Sequence, residues 1–192
     1  MKNEMIMVTG GARSGKSEFA EQLVLHYADK CAYIATAEIL DAEIAERVRM
    51  HKLRRSSKRW VNFEAPYDAQ LTLAEAAQEA DAILFDCLTL YMSNLLYGKG
   101  SEQHKDDKVN YVLGEIDKLL AGARATGKLV VFVSNEVGSG IVPDNAMARE
   151  YRDIAGWVNA KVASACDRAF LCVAGQAVDV KKIAFTFEKE DE

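Results

Sequence analysis

Residues Gly10-Gly11-Ala12-Arg13-Ser14-Gly15-Lys16-Ser17 follow directly on the apolar run Met5-Ile6-Met7-Val8. The octapeptide fits the pattern G-x-x-x-x-G-K-[ST]. A helical pattern from about Lys16 to Tyr27 comes straight after it, with Phe19, Ala20, Leu23 and Val24 at three-and-four spacing. A strand, a glycine loop and a helix in that order leave few folds open. The glycines let successive backbone N–H groups curl around a polyphosphate, and the helix N-terminus adds positive potential. On this pattern Lys16 reaches the β- and γ-phosphates, and the Ser17 hydroxyl ligates Mg²⁺. The loop thus points to a nucleotide, without saying which one or what is done with it.

The rest of the chain continues the alternation. Strand-like runs are predicted at Cys31–Ala35, Trp60–Phe63, Ala82–Phe85, Leu129–Ser134 and Ala169–Val173. Helical patterns are predicted over Asp41–Arg55, Tyr67–Ala80, Leu88–Leu96, Lys108–Ala125 and Asn145–Ala165. Such a succession implies an α/β fold, with a mostly parallel sheet and helices on both faces. A single P-loop NTPase-like (RecA-like) domain over residues 1–192 is expected, since that length is near the upper end for one core. No linker, repeat or low-complexity segment divides it, and Glu188–Glu192 reads as a solvated acidic tail.

Composition narrows the class. A net charge of −5 argues against a general nucleic-acid binder. There is no leader-like apolar stretch and no 18-residue apolar run, so a cytoplasmic protein without membrane insertion is expected. The cysteines Cys31, Cys87, Cys166 and Cys172 are far apart and lack C-x-x-C spacing, and Cys31, Cys87 and Cys172 sit in apolar, strand-like segments, which favours buried free thiols over metal ligands or disulfides.

In sheets of this kind ligands collect beyond the carboxyl ends of the strands. That singles out Gly10–Ser17, Thr36, Asp86 and Asn135-Glu136. Asp86 ends the run Ile83-Leu84-Phe85, the place of the second acid that holds Mg²⁺ directly or through water. Its competing reading is a cap on the next helix. A second concentration of chemistry runs from Arg47 to Arg59, with seven Lys or Arg around His51. On a helix Arg54 and Arg55 share a face with His51, so this face fits a triphosphate with His51 as nucleophile or acid–base group. From spacing alone a solvated basic face is the more usual reading, and a nucleic-acid patch is a third, without interleaved aromatics before Trp60 to support it. The segment Asn135-Glu136-Val-Gly-Ser-Gly-Ile-Val-Pro143 suggests a shaped loop, where Glu136 is either a metal or hydroxyl ligand or a structural residue. Arg149, Arg152 and Asp153 fit surface ion pairs or substrate contacts. His26 fits the end of a helix, and His104 an exposed loop.

Together these motifs resemble the bifunctional adenosylcobinamide kinase / adenosylcobinamide-phosphate guanylyltransferase family of cobalamin biosynthesis. The resemblance is carried by Thr9–Ser17, Tyr33-Ile-Ala-Thr36, His51-Lys-Leu-Arg-Arg55 with Trp60 and Glu64-Ala-Pro66, and Asp86-Cys-Leu-Thr-Leu with Ser93-Asn-Leu-Leu96. It continues through Asn135–Pro143 and Arg152-Asp-Ile-Ala-Gly156 with Asn159. It implies phosphorylation of adenosylcobinamide by ATP or GTP, then transfer of GMP from GTP to that phosphate with release of pyrophosphate. It places the guanylylated histidine at His51 and nucleotide contacts at Gly10–Ser17, Ala35, Thr36, Ala37, Lys52, Leu53, Arg54, Arg55 and Glu64. Lys16 and Asp86 join His51 as catalytic residues, and Ser17 and Asp86 hold Mg²⁺. A homo-oligomer, possible as a trimer, is implied as well. Ser56, Asn62, Ala160 and the segment Gly175–Lys181 depart from the family pattern. Two other readings share the loop: a different small-molecule kinase with His51 incidental, and a nucleotide-dependent switch.

Overall fold

The protein is described from a computed structural model, which covers residues 3–38 and 59–186. Seven strands form one sheet: β1 (Met5–Gly10), β2 (Cys31–Ala35), β3 (Trp60–Glu64), β4 (Ala82–Asp86), β5 (Leu129–Asn135), β6 (Arg168–Val173) and β7 (Gln176–Asp179). Their spatial order is β3-β2-β4-β5-β1-β6-β7. Every neighbouring pair is parallel except β6 with β7. The expected mostly parallel α/β sheet is therefore present. The segment predicted as a helix over Asp41–Arg55 lies outside the described residues.

The helices are α1 (Lys16–Tyr27), α2 (Ala69–Glu79), α3 (Leu88–Tyr97), α4 (Lys108–Ala125), α5 (Ala146–Ala165) and the short α6 (Val180–Ile183). Burial explains why the central strands read as unbroken apolar runs: β5 is buried from Leu129 to Ser134 because both its faces are covered. Side-chain alternation sorts the strands into two cores. Met5, Met7, Ile83, Phe85, Val130 and Phe132 point toward α2–α5. Ile6, Val8, Leu84, Val131 and Val133 point toward α1, which supplies Ala20 and Val24. On the first face Phe85 packs edge-on against Tyr91 and Phe132, at centroid distances of 5.7 and 5.6 Å.

Strand β7 and helix α6 were not among the expected elements. Four residues alternating between exposed and half-buried give too little apolar signal to register as a strand. The hairpin joining β6 to β7 turns on Ala174 and Gly175, both with positive φ (50° and 76°), the requirement of a tight two-residue hairpin turn. His104 falls in a short 3-10 turn, Ser101–His104, stacked on the Tyr111 ring at 3.7 Å. Cys31, Cys87 and Cys172 are buried free thiols as expected, and Cys166 is buried and free as well.

Candidate active site at the carboxyl edge of the sheet

The loop from Gly10 to Ser17 leaves β1 at the centre of the sheet's carboxyl edge and runs into α1. Gly15 caps the helix in the left-handed region (φ 91°), and Arg13 is also left-handed (φ 55°). Lys16 Nζ folds back and donates to the Gly11 carbonyl at 3.1 Å. Ser14 Oγ is buried without a hydrogen-bond partner among the described residues. A buried hydroxyl left unmatched inside a glycine loop suits a site that takes up phosphate oxygens, since such groups are otherwise satisfied. The β6–β7 turn closes one side of the loop, with the Gly175 amide donating to the Ser14 carbonyl at 3.0 Å.

Register aligns the acids. Glu64, Ala35 and Asp86 form one row across β3, β2 and β4, and the row continues through Val133 to Val8. Asp86 is thus level with a residue two positions before Gly10, and β5 lies between their strands. Two strand spacings put the Asp86 and Val8 backbones roughly 10 Å apart. Period-two alternation aims Asp86 to the same face as Leu84 and Tyr33, the face that α1 covers. The Tyr33 hydroxyl donates to Asp86 at 3.2 Å. The N-cap position of α3 is occupied by Cys87 rather than by Asp86. Glu64 is exposed at the end of β3.

Behind this edge lies a layer that holds the strand exits in place. Thr36 is fully buried, and its hydroxyl donates to the Cys87 carbonyl (2.7 Å) and accepts from the Cys87 amide (2.8 Å). Asn94 on α3 donates to the carbonyls of Thr36 (2.7 Å) and Pro66 (3.0 Å). Asn159 on α5 accepts from Ser134 Oγ and donates to the Asn135 carbonyl. Neither asparagine stands out by spacing in a single sequence, and neither does Tyr33, although its alternation with Ala35 already puts it on the face of Asp86.

The loop after β5 begins beside the phosphate loop, where the Glu136 amide donates to the Gly10 carbonyl at 3.0 Å. The Glu136 carboxylate accepts from the amides of Gly138 (2.7 Å) and Ser139 (3.1 Å). Burial alone would raise its pKa. The Ser139 hydroxyl, those two amides and the Arg152 charge outweigh burial and hold it below the usual range. Glu136 therefore builds its own loop. Arg149 and Arg152 donate to carbonyls of that loop and, among the described residues, form no ion pair with a carboxylate, while His26 sits in the last turn of α1 as expected. His51, Lys52, Leu53, Arg54 and Arg55 lie outside the described residues.

With this geometry in place, comparison with known proteins is decisive. The sequence model of the family described as "Cobinamide kinase / cobinamide phosphate guanyltransferase" matches residues 6–180. The chain belongs to this family. It is 41% identical over 182 residues to the bifunctional adenosylcobalamin biosynthesis protein CobU of Salmonella typhimurium, covering 92% of this chain and 99% of that protein. The protein of the same name from Escherichia coli is 37% identical over 187 residues, with the same coverage. CobP of Pseudomonas aeruginosa is 36% identical over 175 residues, covering 91% of this chain and 96% of its own. Among solved structures, a KaiC-like protein from Pyrococcus horikoshii superposes with a TM-score of 0.50 at 11% identity, over 88% of this chain and 71% of that one. That likeness bears on the fold alone.

Proposed function

We propose that this enzyme carries out both reactions its family is named for, using the site residues set out above. The carrying observation is the phosphate loop at the head of α1 with Asp86 and Glu64 aligned on the α1 face of the sheet. In the first reaction a hydroxyl oxygen of cobinamide attacks the γ-phosphorus of ATP or GTP. The bond to the β-phosphate oxygen breaks, the nucleoside diphosphate leaves, and the hydroxyl proton passes to solvent. Lys16 neutralises charge on the transferring group. Among the described residues no cluster of three His, Cys, Asp or Glu could hold a resident metal ion. An ion arriving with the nucleotide needs less, and Ser17 and Asp86 would hold it, Asp86 directly or through water. Mg²⁺ there would neutralise the β- and γ-phosphate oxygens.

In the second reaction the neutral His51 imidazole attacks the α-phosphorus of GTP, and pyrophosphate departs. A phosphate oxygen of cobinamide phosphate then attacks the same phosphorus, and the bond to His51 breaks. Lys52, Arg54 and Arg55 offset the charge of the leaving pyrophosphate, with Leu53, Ala35, Thr36, Ala37 and Glu64 about the nucleotide. Thr36 would serve through its position, because its hydroxyl is taken up by Cys87. A homo-oligomer and a cytoplasmic location accompany this reading. No described helix is long and apolar enough to cross a membrane.

The test uses GTP labelled at the α-phosphate, with Mg²⁺ and no acceptor. Acid-labile, base-stable label should appear on the protein and vanish in His51→Ala. Lys16→Ala should lower phosphoryl transfer to cobinamide by about a hundredfold or more. Absence of label on the unaltered protein would sink the histidine route. Equal loss of both reactions in His51→Ala would overturn the separate roles.

A further inference from the structure

Between the loop after β5 and helix α5 opens a cavity of about 480 Å³, with Arg149, Arg152, Asp153, Trp157 and Val142 in its walls. Two glycines, Gly138 and Gly156, also line it. A methyl group on Gly156 would meet nothing within 4 Å, so the space above it is open.

The two arginines are three residues apart on α5 and so share a face. Both are held by main-chain carbonyls. Arg149 donates to Pro143 (2.9 Å) and Asp144 (2.7 Å), and Arg152 donates to Gly138. Among the described residues neither guanidinium forms an ion pair with a carboxylate. Carbonyls fix orientation but leave the positive charge uncancelled. Glu136 is close enough to feel Arg152, yet its oxygens are occupied by the loop's amides. Among the described residues Asp153 is the one carboxylate in the wall, set against two cations.

The apolar side chains in its wall face water: Val142 is 62% exposed and Trp157 52%. Isolated exposed apolar residues are ordinary, but an aromatic and an aliphatic one lining a cavity beside two oriented guanidinium groups form a surface for something large. A continuous path of hydrogen bonds joins this place to the phosphate loop. It runs from the Gly10 carbonyl to the Glu136 amide, from the Glu136 carboxylate to the Gly138 amide, and from the Gly138 carbonyl to Arg152.

We infer that this cavity is the acceptor site: Arg149 and Arg152 receive the phosphate monoester of the corrinoid acceptor, and Trp157 and Val142 support its apolar body. Planar guanidinium groups suit the oxygens of a phosphate monoester, and a broad aromatic and aliphatic rim suits a macrocycle. This rests on the reading given under Proposed function, and adds the place where the acceptor sits.

The test compares Arg149→Gln, Arg152→Gln, Arg152→Lys and Trp157→Ala in the full chain, with cobinamide phosphate, cobinamide and GTP as the varied substrates. Each glutamine variant should raise the KM for cobinamide phosphate about tenfold or more. The KM for GTP, and label loading from GTP without acceptor, should move far less. Arg152→Lys keeps the charge and should recover part of the loss. Trp157→Ala should raise the KM for both corrinoids, phosphorylated or not. An unchanged KM for cobinamide phosphate in both glutamine variants would overturn the assignment. So would a parallel loss of label loading with a changed sedimentation mass, which would make this face an interface between copies. If the unaltered protein takes no label from GTP, the underlying two-step reading fails instead, and the two failures are thereby distinct.

Discussion

A methyl group at Gly10 would sit 2.4 Å from the Cys172 carbonyl oxygen and 2.6 Å from Ser14 Oγ. The first of these is backbone of β6 and cannot swing aside. At Gly15 the constraint is different: φ is 91°, and an added Cβ would meet Gly175 Cα at 3.1 Å. The two loop glycines are thus demanded by neighbours contributed by the chain's far end, as well as by any phosphate. Gly10→Ala should raise the dissociation constant for GTP at least tenfold and lower unfolding free energy by roughly 1–3 kcal/mol. Calorimetric titration and urea unfolding measure the two. Wild-type affinity in this variant would show that close approach to β6 does not set the shape of the loop. Residue types at the phosphate loop and at Asp86 were legible because phosphate and strand-end chemistry restrict them to a few choices. The roles of Tyr33, Asn94 and Asn159 were not, although all three lie in the blocks that carry the family resemblance, because a hydrogen bond to a group distant in sequence leaves no periodic trace.

Strands and helices were legible where burial imposed a period. The run Leu129-Val-Val-Phe-Val is apolar on both sides because helices cover both faces, and α4 shows its buried stripe at Val112, Ile116, Leu119 and Ala123. β7 escaped because it is an edge strand half in water. Between these elements, Thr36 ties the exit of β2 to the start of α3 through both hydrogen-bonding capacities of one hydroxyl. Thr36→Val keeps the shape and removes the hydroxyl, leaving the Cys87 amide buried and unpaired. That substitution should cost about 1–3 kcal/mol in urea unfolding. It should also weaken nucleotide binding, since Asp86 is the residue just before Cys87. A variant as stable as the parent would mean that another group satisfies the Cys87 amide.

At the opposite, amino edge of the sheet one carboxylate gathers segments from across the chain. Asp167 accepts from the Met5 amide at 2.7 Å and from Arg124 at 2.9 Å, and Arg124 also donates to the carbonyls of Asn3 and Ala165. The starts of β1 and β6 and the ends of α4 and α5 meet at this pair. Burial would raise the Asp167 pKa, but the Arg124 hydrogen bond, the Met5 amide and the Arg124 charge outweigh it and hold the carboxyl below its ordinary value. A carboxyl depressed on folding adds stability above its unfolded pKa, near ~4, and that stability is lost as pH falls through the folded value. The pair is partly exposed, with side chains 40% and 43% accessible, so solvent screening keeps its contribution small. Asp167→Asn should therefore cost about 1 kcal/mol or less at pH 7. The difference between the two proteins should shrink toward zero as the parent's own carboxyl takes up a proton in acid. Urea unfolding of both proteins at a series of pH values from neutral downward reads this directly. A stability gap that stays constant into acid would assign the effect of Asp167 to shape rather than charge.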